Sequence, residues 1–311
     1  MKLTLLRRGA LAALLASFGL VACAEFMNSL EESTDENTAL GSLVRGANRL
    51  RKSFQDLDPS EEHYIGRSVA AQILVMPEYP LADASKAEGA AKVDIEELDA
   101  YVNRVGQGLS IACDEVRQTF LGYRFGVLES KEINAFAAPG GTIFVTRGLI
   151  ERTESEDELA AVLAHEIAHV TLRHGLAAIQ KGNLIEAFKY LGQGAAQATL
   201  DDQQLQEVTG LFDDSVQDVV ASLVKNGFSK EAEYEADALG QRIATAAGYD
   251  SSSLRRFLQR LGKDGGSGGL MSTHPAPADR LENLPDIGSS SVPKPAAIEA
   301  RDKRFRAATR S

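Results

Sequence analysis

The period of the hydrophobic positions changes twice along the chain. From Ala39 to Phe54, Leu40, Leu43, Val44, Ala47 and Phe54 fall on one helical face. Asp58-Pro59-Ser60 breaks that pattern, and a second helix is expected over Glu61–Met76. Pro77 and Pro80 bracket a loop. Ile95, Leu98, Val102, Val105 and Leu109 then recur at spacings of three and four, an amphipathic helix. Next the period falls to two. Tyr123, Phe125 and Val127 alternate, Ile143-Phe144-Val145 make another strand, and Pro139-Gly140-Gly141 lies between, so residues 121–146 predict a small antiparallel sheet. Helical spacing returns at Ser155, which with Glu158 makes a capping box opening a helix through about Arg173. Residues 176–228 read as helical, rich in Gly, Ala and Gln. A further helix runs from Ser229 to about Ala247 and is closed by Gly248. Gly265–Gly269 is expected as a flexible loop. The order of helices, small sheet and helices, with no internal repeat, predicts one mainly helical α+β domain.

The two ends do not fit this pattern. Lys2, Arg7 and Arg8 precede an apolar run from Gly9 to Ala22, the layout of an export signal too short to span a bilayer. It ends Leu20-Val21-Ala22-Cys23, which resembles the lipobox of bacterial lipoproteins. That resemblance implies cleavage before Cys23, its acylation and, with Ala24 rather than Asp next, sorting to the periplasmic face of the outer membrane. The expected organisation is a signal over 1–22, a tether and N-terminal helix over 23–59, the folded domain over 60–285, and a flexible basic tail over 286–311. Cys113 would then be the one remaining thiol, expected as a small buried hydrophobe beside Ile111 and Ala112. The net charge of -11 and the absence of Trp argue against a nucleic-acid partner, which needs a basic surface or stacking platforms.

The chemistry centres on His165-Glu166-Ile167-Ala168-His169. Residues i and i+4 of a helix share a face, which lets two imidazoles bind one zinc ion. Glu166, beside His165, is placed as general base for a water that the metal acidifies. The motif lies inside the capped helix, as that chemistry requires. His174, five residues past His169, falls roughly 140° around the helix and is expected to point elsewhere. Neither Leu172 nor Gly175 can supply a third ligand. Glu233 and Asp237 share another helix face at i,i+4, so one carboxylate could bind the metal and the other fix an imidazole tautomer; an acidic helix face is also commonly just solvated. Gly265-Gly266-Ser267-Gly268-Gly269 fits the serine-hydrolase pattern but sits in a glycine-rich loop rather than between strand and helix.

Four segments in order resemble metallopeptidase family 48, a gluzincin family: residues 158–169, Glu233-Tyr234-Glu235-Ala236-Asp237, Asn134 to Gly141, and Thr273-His274-Pro275 with Arg280. The likeness covers roughly residues 60–285, and the lipobox puts it nearest the outer-membrane lipoprotein members. It implies one zinc ion per chain held by His165, His169 and Glu233, with Glu166 as base and Asp237 behind the ligands. It also implies a substrate edge strand at Asn134, Ala135, Phe136 and Ala137. His274 and Arg280 would either assist catalysis or close the zinc in a resting form. Lys230 stands where Arg is usual, and His63 where an acidic residue often stands. The implied function is an endopeptidase acting on unfolded or misassembled envelope polypeptides. The alternative is a periplasmic chaperone or assembly factor with a latent, closed zinc site.

Overall fold

A computed structural model describes residues 59–83, 85, 89–177, 202–263, 270–285 and 293–309. The expected export signal, Cys23, the helix from Ala39 to Phe54 and the glycine run at 265–269 lie outside the described residues. The chain divides into two compact units, one of Met1–Glu61 with Ile179–Asp218, the other of Glu62–Ala178 with Val219–Ser311. What is described of the first is the start of α1 and most of α6, helices whose ends run into the second unit. The second unit carries the candidate site.

In chain order the helices are α1 (Pro59–Leu74), α2 (Gly89–Ala112), α3 (Arg147–Arg152), α4 (Glu156–Thr171), α5 (His174–Ala177), α6 (Asp202–Ala221), α7 (Lys230–Ala246), α8 (Ser253–Lys263), α9 (Leu270–Thr273), α10 (Pro277–Asn283) and α11 (Pro295–Thr309). The strands are β1 (Arg124–Leu128), β2 (Ala135–Ala138) and β3 (Thr142–Thr146). The α+β, mainly helical reading holds. The sheet, however, is mixed rather than antiparallel. Its order is β1-β3-β2, with β1 parallel to β3 and β2 antiparallel to it. The connection from β1 passes the place that β3 takes, and only β2 and β3 form a hairpin. Alternating hydrophobicity reports which side chains face the core, not which strand lies beside which.

Helix α4 is the axis of the unit. Ser155 caps it by accepting from Glu158 N at 3.3 Å, as the capping box predicts. The return half differs: Glu158 Oε2 accepts from Glu154 N at 2.8 Å. Leu159, Leu163 and Ile167 are fully buried and join a core built from α2, the sheet, α4 and α7. Burial of each contributes about 1.5–3 kcal/mol. Helix α7, capped by Ser229, packs closely along α4. Gly240 permits this, because a Cβ there would stand 2.9 Å from His165 Cα. Cys113 is partly buried and packs against the same core.

Residues 295–309, expected as part of a flexible tail, are helical instead. Phe305, 2% exposed, anchors α11 in the core, while Arg301 and Arg304 reach the first turn of α4. A single apolar anchor on a charged helix leaves almost no hydrophobic period to detect.

Candidate active site

His165 and His169 project from one face of α4 and turn their Nε2 atoms toward each other at 3.0 Å. Glu233, from α7, stands beside both. Its Oε2 is 3.5 Å from His165 Nε2 and its Oε1 is 3.6 Å from His169 Nε2. All three residues are at most 2% exposed. Asp237, one turn further along α7, meets His165 on its other nitrogen, with Oδ1 2.9 Å from Nδ1. That contact assigns one His165 proton to Nδ1, so Nε2 is the nitrogen that can give up its proton to a metal.

This donor set fits a zinc ion. Tetrahedral bonds of about 2.0–2.1 Å separate neighbouring ligand atoms by roughly 3.3 Å, and the three distances bracket that value. Two imidazole nitrogens facing one another beside a carboxylate offer three donors to one cation. Glu233 Oε1 and Glu166 Oε1, both buried, have no hydrogen-bond partner among the described residues. Such atoms are costly to bury unless something else engages them.

Two further side chains complete the cluster. His274 lies with His165, His169 and Glu233 in a group whose ligand atoms fall within 4.8 Å of one another. Its Nδ1 is 2.7 Å from Glu233 Oε2. Arg280, 3% exposed, donates to Asp237 through Nε at 2.9 Å and through a second nitrogen at 2.5 Å. Its approach to His165 Nδ1 at 3.3 Å is the longer contact, and the Asp237 bond at 2.9 Å decides that nitrogen's proton. The segment carrying His274 is held close by Gly227, with φ of 69°, where a Cβ would stand 2.1 Å from Thr273 O.

Electrostatics sort these groups. Burial favours the neutral form of each, and the neighbours decide the outcome. Burial pushes the Glu166 carboxyl up, suiting it to take a proton. Burial would also raise Asp237, but Arg280 and His165 outweigh it and hold Asp237 at about 2. His165 would be lowered by burial and by Arg280; Asp237 and Glu233 instead raise it to about 9. Burial holds His169 well below its usual value.

Every expected site residue outside the lipid anchor is described. His165, Glu166, His169, Glu233, Asp237, His274 and Arg280 come together. Asn134, Ala135, Phe136 and Ala137 lie on or beside β2, the edge strand, packed between α4 and the Ser222–Asn226 turn and buried along their whole length. His174 is not among the potential metal ligands, yet it does not point away from the site as expected. Helix α4 ends at Thr171, and Arg173 adopts φ of 60°, which turns His174 back beneath His169. Its Nδ1 is 2.8 Å from His169 Nδ1, and its Nε2 is 3.5 Å from Glu235 Oε2. No glycine stands at Arg173 to mark the turn, so a helical wheel carried past Thr171 places His174 away from His169.

The model of peptidase family M48 matches residues 96–287. A β-barrel assembly-enhancing protease of Yersinia pestis is 28% identical over 253 residues, covering 78% of this chain and 49% of that protein. Its Escherichia coli K12 counterpart is 28% identical over 191 residues, covering 59% and 37%. The mitochondrial metalloendopeptidase OMA1 of Arabidopsis thaliana is 33% identical over 160 residues, covering 51% and 30%. The chain thus spans about half the length, or less, of these relatives. The family is zinc-dependent, in agreement with the buried donor set. With the family model covering most of the chain, including the two paired helices and the late histidine, this protein belongs to peptidase family M48.

Proposed function

We propose that this chain is a zinc-dependent endopeptidase, anchored by lipid at Cys23 to the periplasmic face of the outer membrane, that cleaves unfolded or misassembled envelope proteins. The observation that carries the catalytic part is the buried pair of imidazoles, 3.0 Å apart at Nε2, with Glu233 and the unpartnered Glu166 oxygen beside them. His165, His169 and Glu233 would hold one zinc ion. When bound, zinc supplies Lewis-acid chemistry, acidifying a water and polarising the scissile carbonyl. Glu166 accepts the proton of the attacking water at Oε1 and returns it to the leaving amine. Asp237 holds His165 in the tautomer that presents Nε2, and Arg280 holds Asp237. The edge strand at Asn134–Ala137 would pair with an extended substrate through main-chain hydrogen bonds, which gives broad sequence tolerance.

Envelope substrates are supported by the relatives named as β-barrel assembly-enhancing proteases, and by the export signal and lipobox expected from residues 1–23. No described helix is long and apolar enough to cross a membrane. The second reading, an assembly factor with a latent site, is favoured by His274, which adds a fourth ligand-capable group where zinc hydrolases leave an open position. Digestion of an unfolded protein such as casein by the purified chain, abolished by a chelator and restored by zinc, tests the first reading. Intact casein under zinc-replete conditions favours the second. For the anchor, Cys23→Ser should move the protein from the membrane to the soluble periplasmic fraction with its activity unchanged. Continued membrane attachment would assign the tether elsewhere.

A further inference from the structure

We propose that His174, backed by Glu235, is a positioning residue that orients His169 for the metal, doing for the second imidazole what Asp237 does for the first. The proposal rests on reading His165, His169 and Glu233 as zinc ligands.

The proton count argues for it. A neutral imidazole carries one N–H, and the nitrogen facing the metal must be bare. His169 presents Nε2 to His165 and Glu233, so its proton belongs on Nδ1. That nitrogen meets His174 Nδ1 at 2.8 Å, which must therefore accept. The His174 proton then lies on Nε2, and the group facing it at 3.5 Å is the Glu235 carboxylate, an acceptor. Each link has one donor and one acceptor, and reversing any one leaves two protons or two lone pairs in opposition. Phe228 stacks on the His169 ring, centroids 4.5 Å apart and planes 24° from parallel, fixing the ring's tilt while His174 fixes its rotation. The same geometry shows that His174 is no ligand, since it contacts His169 on the edge away from Nε2.

The two imidazoles are thus supported unequally. Asp237 is 1% exposed and braced by Arg280, whereas Glu235, at 66% side-chain exposure, stands in solvent. Loss of Glu235 should therefore matter less than loss of His174.

The test is the zinc dissociation constant of the full chain, measured by competition with a chromophoric chelator, with the visible spectrum of the cobalt-substituted protein. His174→Ala should weaken zinc binding about 10–100-fold and alter the cobalt bands. His174→Asn, whose side-chain oxygen can accept from His169 Nδ1, should recover most of the affinity and the wild-type spectrum. Glu235→Ala, on the surface and no threat to folding, should cost about 2–5-fold. Wild-type affinity and spectrum in His174→Ala, or an Asn variant as weak as the Ala variant, would overturn the assignment. The ligand reading fails separately, and takes this proposal with it, if wild type lacks stoichiometric zinc or His169→Ala retains it.

Discussion

The two ends of helix α4 bury charge in opposite ways. At its first turn Glu156, Asp157 and Glu158 are no more than 5% exposed, and each meets an arginine from far along the chain. Arg304 donates to both oxygens of Glu156, Arg301 to Asp157 at 2.9 Å, and Arg260 to both oxygens of Glu158. Tyr101 and Tyr249 also donate to Glu156, at 3.1 and 3.2 Å. Carboxylates at a helix N-terminus also suit the helix dipole. Seven residues on, His165, Glu166 and His169 are buried as deeply, but beside other titratable groups, with one oxygen each of Glu166 and Glu233 lacking a hydrogen-bond partner among the described residues. Leaving a buried charge without its partner costs several kcal/mol. The paired carboxylates are therefore architecture, and the open carboxylate oxygens among the histidines leave room for something else to bind.

Glu166→Gln is the sharpest way to break that distinction. If the Glu166 oxygen is kept for chemistry, the amide should lower kcat/KM on a peptide substrate by about 10³-fold or more, because it cannot take the water's proton. Zinc content and melting temperature should stay at wild-type values, since among the described residues the carboxylate oxygen Oε1 has no partner to lose. A variant that melts much earlier would make Glu166 a structural residue after all.

The contrast also explains what could be read in advance. Metal chemistry imposes short spacings, so His165 with His169 and Glu233 with Asp237 stand four apart on their helices. Structural pairing imposes none: Arg304 is 148 positions from Glu156, and only the folded chain joins them. The same limit hid the role of α11, whose residues read as a basic tail because the contacts of Arg301, Arg304 and Phe305 leave no periodic trace. The contact of His174 with His169 escapes the sequence for a different reason. A helix wheel assumes that the helix continues, and the backbone reversal at Arg173 has no residue preference to announce it.

His274 should give the next largest effect, and its sign separates two roles. It contacts Glu233 at 2.7 Å and belongs to the group able to hold a metal ion, so in the proposed site it would compete for the position that water must take. The edge strand is also covered in this arrangement, so substrate access requires the cover to move. His274→Ala is accordingly expected to raise casein cleavage about tenfold, by removing a latch. A fall of about 100-fold would instead make it a donor to the developing oxyanion. An unchanged rate would remove it from the mechanism.

Arg304→Ala probes the other end of α4 and should leave the chemistry alone. Glu156 is fully buried, so losing its arginine strands a carboxylate against two tyrosine hydroxyls. Arg304 itself is about half exposed, and solvent screens part of the interaction, which limits the loss to roughly 1–3 kcal/mol. For a unit of this size that lowers the melting temperature by about 2–8 °C. At 25 °C the surviving folded protein should keep its zinc and its kcat/KM within twofold, because Glu156 lies more than two helical turns from His165. Thermal melting and steady-state cleavage on the same preparation decide the matter. A parallel loss of activity at a temperature where the variant is fully folded would mean that the paired end of the helix tunes the site, and the division between the two ends would fail.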